Sequence, residues 1–298
     1  MGSVVAALDA ASTASLVSIA EAMAAPGSVP AAARFAVVTG GSSGIGLAVC
    51  RRLLAEGWTV ATTSRSVARL EEAFPAGAAA ARPLFVAADL ATTAGCEELV
   101  ARCDAAWGAD YALDLLVNNA GGGTIGQQIG AASIAAFDYT MALNVRAPFL
   151  LIQLLLPRLQ RGSVVANLSS VAAQRPFSGL APYCISKAAV DMLTKAAALE
   201  LAPRGVRVVG VAPGTVETSF HAAAGMGEAM AASYYDASCA THPLGRVGRP
   251  EEIAEAVVWL ASGAAGFVTG TTLVVDGGRL LTASTAPQLG AVAAAPPK

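Results

Sequence analysis

Short, continuously apolar runs alternate with longer amphipathic stretches along most of this chain. Seven such runs are evident: Phe35–Thr39, Trp58–Thr63, Leu84–Ala88, Leu113–Val117, Ser163–Leu168, Val206–Val211 and Thr271–Val275. Their length and their lack of strict apolar/polar alternation suit strands buried on both faces. Leu47–Ala55, Cys96–Trp107, Ser133–Leu143 and Ala147–Gln160 space their apolar residues at helical intervals, and another helical stretch runs from Tyr183 to Pro203. Strands that alternate with helices predict an α/β fold, a doubly wound parallel sheet of seven strands in a single domain over residues 34–281. Residues 1–33 are Ala/Ser-rich, carry Pro26 and Pro30, and read as an extension with a weakly amphipathic helix over Ala6–Ala24. Residues 282–298 form an Ala/Pro-rich tail expected to be peripheral.

Composition narrows the function classes. Of the 298 residues 55% are hydrophobic and 13% charged, enough apolar material for a large core and too few charges for a disordered chain. The net charge is -2 with no basic stripe, so no nucleic-acid partner is expected. Cys50, Cys96, Cys103, Cys184 and Cys239 are odd in number and form no CxxC pair, which argues against a disulfide framework. His221 and His242 offer little material for a metal site. The uncharged run Ala256–Val275 is broken by Gly263, Gly266 and Gly270 and reads as helix end, turn and strand, so no membrane span is expected. No cation precedes Arg34, which removes the usual marks of a secretory or mitochondrial leader. Ala6 stands where a myristoylation motif wants Ser or Thr, and the terminal Pro-Pro-Lys is not a peroxisomal signal. A cytoplasmic location is the expectation.

Two local patterns carry chemistry. Between the first apolar run and the first helix lies Thr39-Gly40-Gly41-Ser42-Ser43-Gly44-Ile45-Gly46. Glycines there permit a tight turn and close approach of a pyrophosphate, which the helix N-terminus then faces. The second run ends in Ser64-Arg65-Ser66, with no acid to accept from a ribose 2′-hydroxyl. Arg65 would instead pair with a 2′-phosphate, so NADP(H) is favoured over NAD(H). The second pattern is Tyr183 with Lys187, four residues apart at the start of the long helix and thus on one face. A nearby ammonium lowers the pKa of a phenol from its usual value of about 10 and suits it to proton transfer.

In order along the chain, the turn Thr39–Gly46, Asn118-Asn119-Ala120-Gly121, Asn144 before Val-x-x-Pro-Phe, Ser170 thirteen residues ahead of Tyr183, Tyr183-x-x-x-Lys187, Pro213-Gly214 with Thr218, and Val274-Val275-Asp276-Gly277-Gly278 resemble the short-chain dehydrogenase/reductase family in its compact, single-domain branch. The overall pattern is similar to 3-oxoacyl carrier-protein reductases. The resemblance implies an oxidoreductase that moves hydride between a nicotinamide and a carbonyl or secondary alcohol. It makes Tyr183 the acid/base and Lys187 the ribose ligand that depresses it. Ser170 polarises the substrate oxygen, and Asn144 holds a relay water. Gly40, Ser42, Ser43, Gly44, Ile45 and Gly46 would contact the cofactor phosphates and Asp89 and Leu90 the adenine. Asn118, Ala120 and Gly121 would line the cofactor's middle, and Pro213, Gly214, Val216 and Thr218 the nicotinamide. The family also implies a homotetramer.

The chain departs from the family pattern in places. Ser43 stands where many NADP-preferring relatives carry Arg or Lys, Val209 stands where many carry Asn, and residues 1–33 have no counterpart. Cys184 reads as a packed thiol, His221 as either a substrate contact or a solvated side chain, and Glu251 and Glu252 as helix-start acids. Phe220–Pro243 corresponds to the family's substrate lid. Sugar, polyol, steroid and quinone carbonyls stay open as substrates. A non-catalytic dinucleotide sensor is a further alternative, as is an extended-branch epimerase, although little chain follows Ser262 to build that branch's second domain.

Overall fold

In the computed structural model, β1 (Phe35–Val38) is an interior strand of one seven-stranded sheet. Residues 33–77, 81–126 and 128–282 are described; the helix expected over Ala6–Ala24 and the tail beyond Thr282 lie outside them. From β1 the chain enters α1 (Gly44–Ala55), β2 (Thr59–Ser64), α2 (Val67–Ala73), β3 (Leu84–Ala87), α3 (Thr93–Trp107) and β4 (Leu113–Asn118). Then come α4 (Ile134–Met141), a π-helical turn (Ala142–Arg146), α5 (Ala147–Leu155) and β5 (Leu159–Leu168). The last elements are α6 (Ala181–Leu201), β6 (Arg207–Pro213), α7 (Glu228–Cys239), α8 (Pro250–Ala261) and β7 (Thr272–Val275). Sheet order is β3-β2-β1-β4-β5-β6-β7, and every pairing is parallel. The direction of winding reverses between β1 and β4. Ligands of doubly wound sheets bind outside the carboxyl ends of the strands at such a reversal.

Most strand residues are buried because both faces of the sheet are covered. Ala36 and Val38 of β1 join one cluster with Val49 and Leu53 of α1 and Ile253 and Val257 of α8. Val37, between them, points the other way and joins Leu99 of α3, Leu151 and Leu155 of α5 and Ala198 of α6. Leu53, Leu99 and Leu155 are fully buried, and each contributes about 1.5–3 kcal/mol by leaving water.

Three elements differ from the sequence expectation. The helix expected over Ala147–Gln160 stops at Leu155, and the strand expected from Ser163 begins at Leu159. Pro157 has no N–H to continue the helix, and Leu159 already pairs with Leu113. The helix expected over Ser133–Leu143 runs through the π turn into α5. π bulges of this kind concentrate at functional sites, and this one carries Asn144.

Candidate active site

The turn after β1 is held by a neighbour from β4. Thr39 Oγ1 accepts from the backbone N–H groups of Asn119 and Ala120, both at 2.9 Å. Asn119 Nδ2 donates back to the carbonyls of Thr39 (2.8 Å) and Gly40 (3.2 Å). Gly40 has φ +73, a left-handed conformation that disfavours a side chain. A Cβ on Gly46 would sit 2.3 Å from the Gly40 carbonyl oxygen, so only glycine lets α1 start this close to the turn. Ser43, the α1 N-cap, makes no side-chain cap bond, and the first turn carries no acid. The positive end of α1 is therefore left for an external anion.

One cleft of about 490 Å³ runs from this turn across the carboxyl ends of the strands. At its outer end, Gly40, Ser42, Ser43, Gly44 and Ile45 line it beside Arg65. Arg69 also lines it, one helical turn further on in α2. Both arginines are exposed. Asp89 and Leu90 form the opposite lip, and Asp89 Oδ1 accepts from Ala91 N at 3.0 Å.

At the inner end, β5 delivers Ser170 and α6 delivers Tyr183 and Lys187. Pro182 in the first turn of α6 starts the helix at the cleft. Tyr183 and Ser170 line this end of the cleft together, and the Ser170 hydroxyl favours the phenolate. The Tyr183 ring packs 5.5 Å from that of Phe220. Gly123 lies against it so closely that a Cβ would come within 2.9 Å of the ring. Lys187 Nζ is buried 5.6 Å from the Tyr183 ring centroid and donates to the Leu168 carbonyl at 2.6 Å. Burial moves the two groups in opposite directions: it pushes Tyr183 up to about 12, with the Ser170 bond working against it, and Lys187 down to about 8, with Asp191 working against it. Lys187 was expected to depress Tyr183; it is not among the groups that move the phenol here, and desolvation sets the direction.

Ala120, Gly121, Pro213, Gly214, Val216 and Thr218 also line the cleft. Three residues assigned to the site from sequence do not line it. Asn118 is buried, with Nδ2 donating to Asn167 Oδ1 at 2.8 Å; its neighbour Asn119 lines the cleft instead. Gly46 packs inside the turn. Asn144 is 1% exposed. Its Oδ1 accepts from Gly122 N (2.9 Å), and its Nδ2 donates to Gly122 O (2.8 Å) and Ser186 Oγ (2.9 Å). Its side chain thus fixes the strand-end loop that faces Tyr183.

The lid begins after β6. Tyr235 Oη donates to the Thr218 carbonyl at 2.6 Å and meets His221 Nδ1 at 3.0 Å. His221 is half-buried among Phe220, Tyr234 and Tyr235, and burial followed by the charge of Arg279 holds it down to about 4. It is therefore a packed cleft residue. Cys184 is half-buried and its thiol is raised by burial. Glu252 serves α8: it accepts from Arg249 N at 2.8 Å and pairs with Arg246. Sequence reasoning missed Arg69, Phe177 and Arg279, which line the cleft from a helix interior, a loop and the 3-10 turn after the last strand. None sits in a motif, so only the fold brings them in. Among the described residues no group of three or more His, Cys, Asp or Glu could hold a metal, and no helix is long and apolar enough to cross a membrane.

Comparison with known proteins shows what the whole chain resembles. A family model described as enoyl-(acyl carrier protein) reductase matches residues 40–279. The 3beta-hydroxysteroid dehydrogenase 1 of Eggerthella lenta is 41% identical over 260 residues, 82% of this chain and 93% of that protein. The 2-(R)-hydroxypropyl-CoM dehydrogenase of Xanthobacter autotrophicus is 37% identical over 250 residues, 82% of this chain and 97% of that one. Among solved structures, a short-chain dehydrogenase/reductase from Serratia marcescens superimposes with a TM-score of 0.71 at 35% identity, covering 83% of this chain and 97% of its own.

Proposed function

The chain belongs to the short-chain dehydrogenase/reductase family of oxidoreductases, and on that premise we propose that it is an NADP(H)-dependent carbonyl reductase/alcohol dehydrogenase with Tyr183 as its acid. The observation that carries the proposal is the inner end of the cleft, which Ser170, Tyr183 and Lys187 line together, with the buried Lys187 Nζ 5.6 Å from the Tyr183 ring centroid. The nicotinamide supplies the hydride when bound. Tyr183 is protonated at neutral pH and gives its proton to the substrate oxygen as the carbonyl is reduced. Ser170 holds that oxygen. Lys187, kept charged below its lowered pKa, stabilises the phenolate left on Tyr183. Asn144 positions the Gly122 loop over the same ring. Apolar walls from Phe177, Phe220 and Tyr234 keep water out.

The choice of NADP(H) is supported by Arg65 and Arg69, which line the outer end of the cleft and could pair with a 2′-phosphate. The uncapped, acid-free start of α1 suits the pyrophosphate. Relatives named for hydroxysteroid and hydroxypropyl-CoM oxidation support a secondary alcohol and its ketone as the substrate pair. A 3-oxoacyl thioester is one member of that class. Absorbance loss of NADPH and of NADH across a panel of ketones, including an acetoacetyl thioester, tests the reading. Turnover faster with NADPH is expected; tight NADPH binding with no turnover on any ketone would favour the sensor alternative.

Assembly follows from the same fold. Ile185, Met192 and Leu199 are exposed at seven-residue intervals on α6, and Phe149 is exposed on α5. Such a stripe supports pairing of these helices between copies and hence a homotetramer. Light scattering should give four chains' mass, and a monomer at micromolar concentration would refute it. The five free thiols suit a reducing, cytoplasmic setting.

A further inference from the structure

The charges of the cleft do not balance. Arg65, Arg69, Lys187 and Arg279 line it, and Asp89 is the one carboxylate among the lining residues. The first two face the cofactor's phosphate end and Lys187 lies under Tyr183, but Arg279 has no part in the reaction as described. It follows β7 on the lid side of the cleft and is 3% exposed. Its guanidinium is held at one nitrogen: Nη1 donates to Thr215 Oγ1 (3.0 Å) and Thr241 Oγ1 (2.6 Å). The Phe177 ring lies 5.2 Å from Cζ. Among the described residues no carboxylate forms an ion pair with it. Asp276, three residues earlier, gives Oδ1 to Gly278 N and Oδ2 to Leu280 N, both at 2.8 Å. Nothing else on the lid neutralises the charge, which acts to hold down both His221 and His242.

A buried cation without a counter-charge is costly, and proteins keep one where a ligand supplies the partner. The position of Arg279 is also fixed. Arg175 Nη1 donates to the carbonyls of Thr282 (2.7 Å) and Arg279 (3.5 Å). His242 Nε2 accepts from Thr215 N at 3.2 Å, which holds the loop carrying one of the two hydroxyl partners. The guanidinium is thus a prearranged fork facing the same cavity as Phe177, Phe220 and His221. Its planar donors match a carboxylate.

We propose that the substrate is a ketone or secondary alcohol that bears a carboxylate, which Arg279 receives while the reacting carbon lies at Tyr183. The inference rests on the carbonyl-reductase reading for the position of the reacting carbon, and Arg279 acts as a specificity residue outside the proton-transfer set.

Acetoacetate and methyl acetoacetate share a ketone and differ in charge. Calorimetric titration of each into the full-length protein with NADP+ present reads the anion site without turnover. The acid should bind about 10- to 100-fold more tightly than the ester, and Arg279→Gln should erase the difference. Arg279→Lys keeps the charge and should retain part of the preference, which covers the case in which the glutamine variant does not fold. Equal affinities in the unaltered protein, no measurable binding of the acid, or a preference that survives Arg279→Gln overturns the proposal. Reduction of both ketones by NADPH is then read separately. Preferential binding of the acid without reduction of either ketone sinks the reductase reading and leaves the anion site standing. Reduction of both at rates indifferent to Arg279 does the reverse.

Discussion

Replacing both Arg65 and Arg69 with alanine should remove the preference for NADPH while leaving NADH binding nearly intact. Arg65 just precedes α2 and Arg69 lies within it, and both line the outer end of the cleft. A charge-assisted hydrogen bond to a phosphate is worth about 1.5–3 kcal/mol when desolvated. Both side chains are exposed, so solvent and salt reduce that to about 1 kcal/mol each. Together they contribute about 2 kcal/mol, or about 30-fold in the ratio of the two dissociation constants. Each single variant should lose about 5-fold on the same reckoning. Fluorescence titration with NADPH and NADH at low and high ionic strength measures this directly. The unaltered protein's NADPH affinity should fall with salt and the double variant's should fall less. An unchanged ratio in the double variant would move the 2′-phosphate contact elsewhere. Equal weakening of NADH would mean that the arginines touch the pyrophosphate instead.

Three further outcomes follow from the same geometry. Gly46→Ala forces a Cβ to within 2.3 Å of a backbone oxygen, so it should cost about 1–3 kcal/mol of stability and most cofactor affinity; an unchanged melting temperature and titration would contradict the close approach. Asn144→Ala strips the half-buried Gly122 N–H and carbonyl of their partners, which should lower stability by about 1–3 kcal/mol in denaturant melts; a change under half a kcal/mol, roughly the scatter of surface substitutions, would contradict it. Burial lowers Lys187 from 10.5 to about 8, so between those values the unfolded chain binds the extra proton and this residue's contribution to stability rises with pH. The stability of Lys187→Met relative to the unaltered protein should therefore decline from pH 8 to pH 10, and a pH-independent difference would refute the lowered pKa.

The strand runs and the turn Thr39–Gly46 were legible in the sequence because both rest on local rules, burial on two faces and glycine geometry. The doubly wound parallel sheet of seven strands was legible from the alternation of elements, whereas its strand order comes from the structure alone. Other features depend on tertiary contact. The end of α5 at Leu155 is set by Pro157 and by the pairing of Leu159 with Leu113, which no periodicity announces. Asn118 and Asn119 are adjacent in sequence, yet opposite pointing along the end of β4 sends one to Asn167 and the other to the turn. The spacing of Tyr183 and Lys187 put them on one helix face, but the sign of the tyrosine's shift depends on how much of the lid buries it. Arg279 carried no signal because its environment is built by Thr215, Thr241 and Phe177 from three separate segments.

The account turns on Tyr183 as the proton donor, and Tyr183→Phe tests it most directly, with single-turnover reduction of the best ketone and NADPH titration made on the same preparation. The account predicts a loss of about 100-fold or more in turnover, with NADPH affinity and melting temperature retained. Turnover that survives the substitution would contradict it, as would loss of cofactor binding in step with activity.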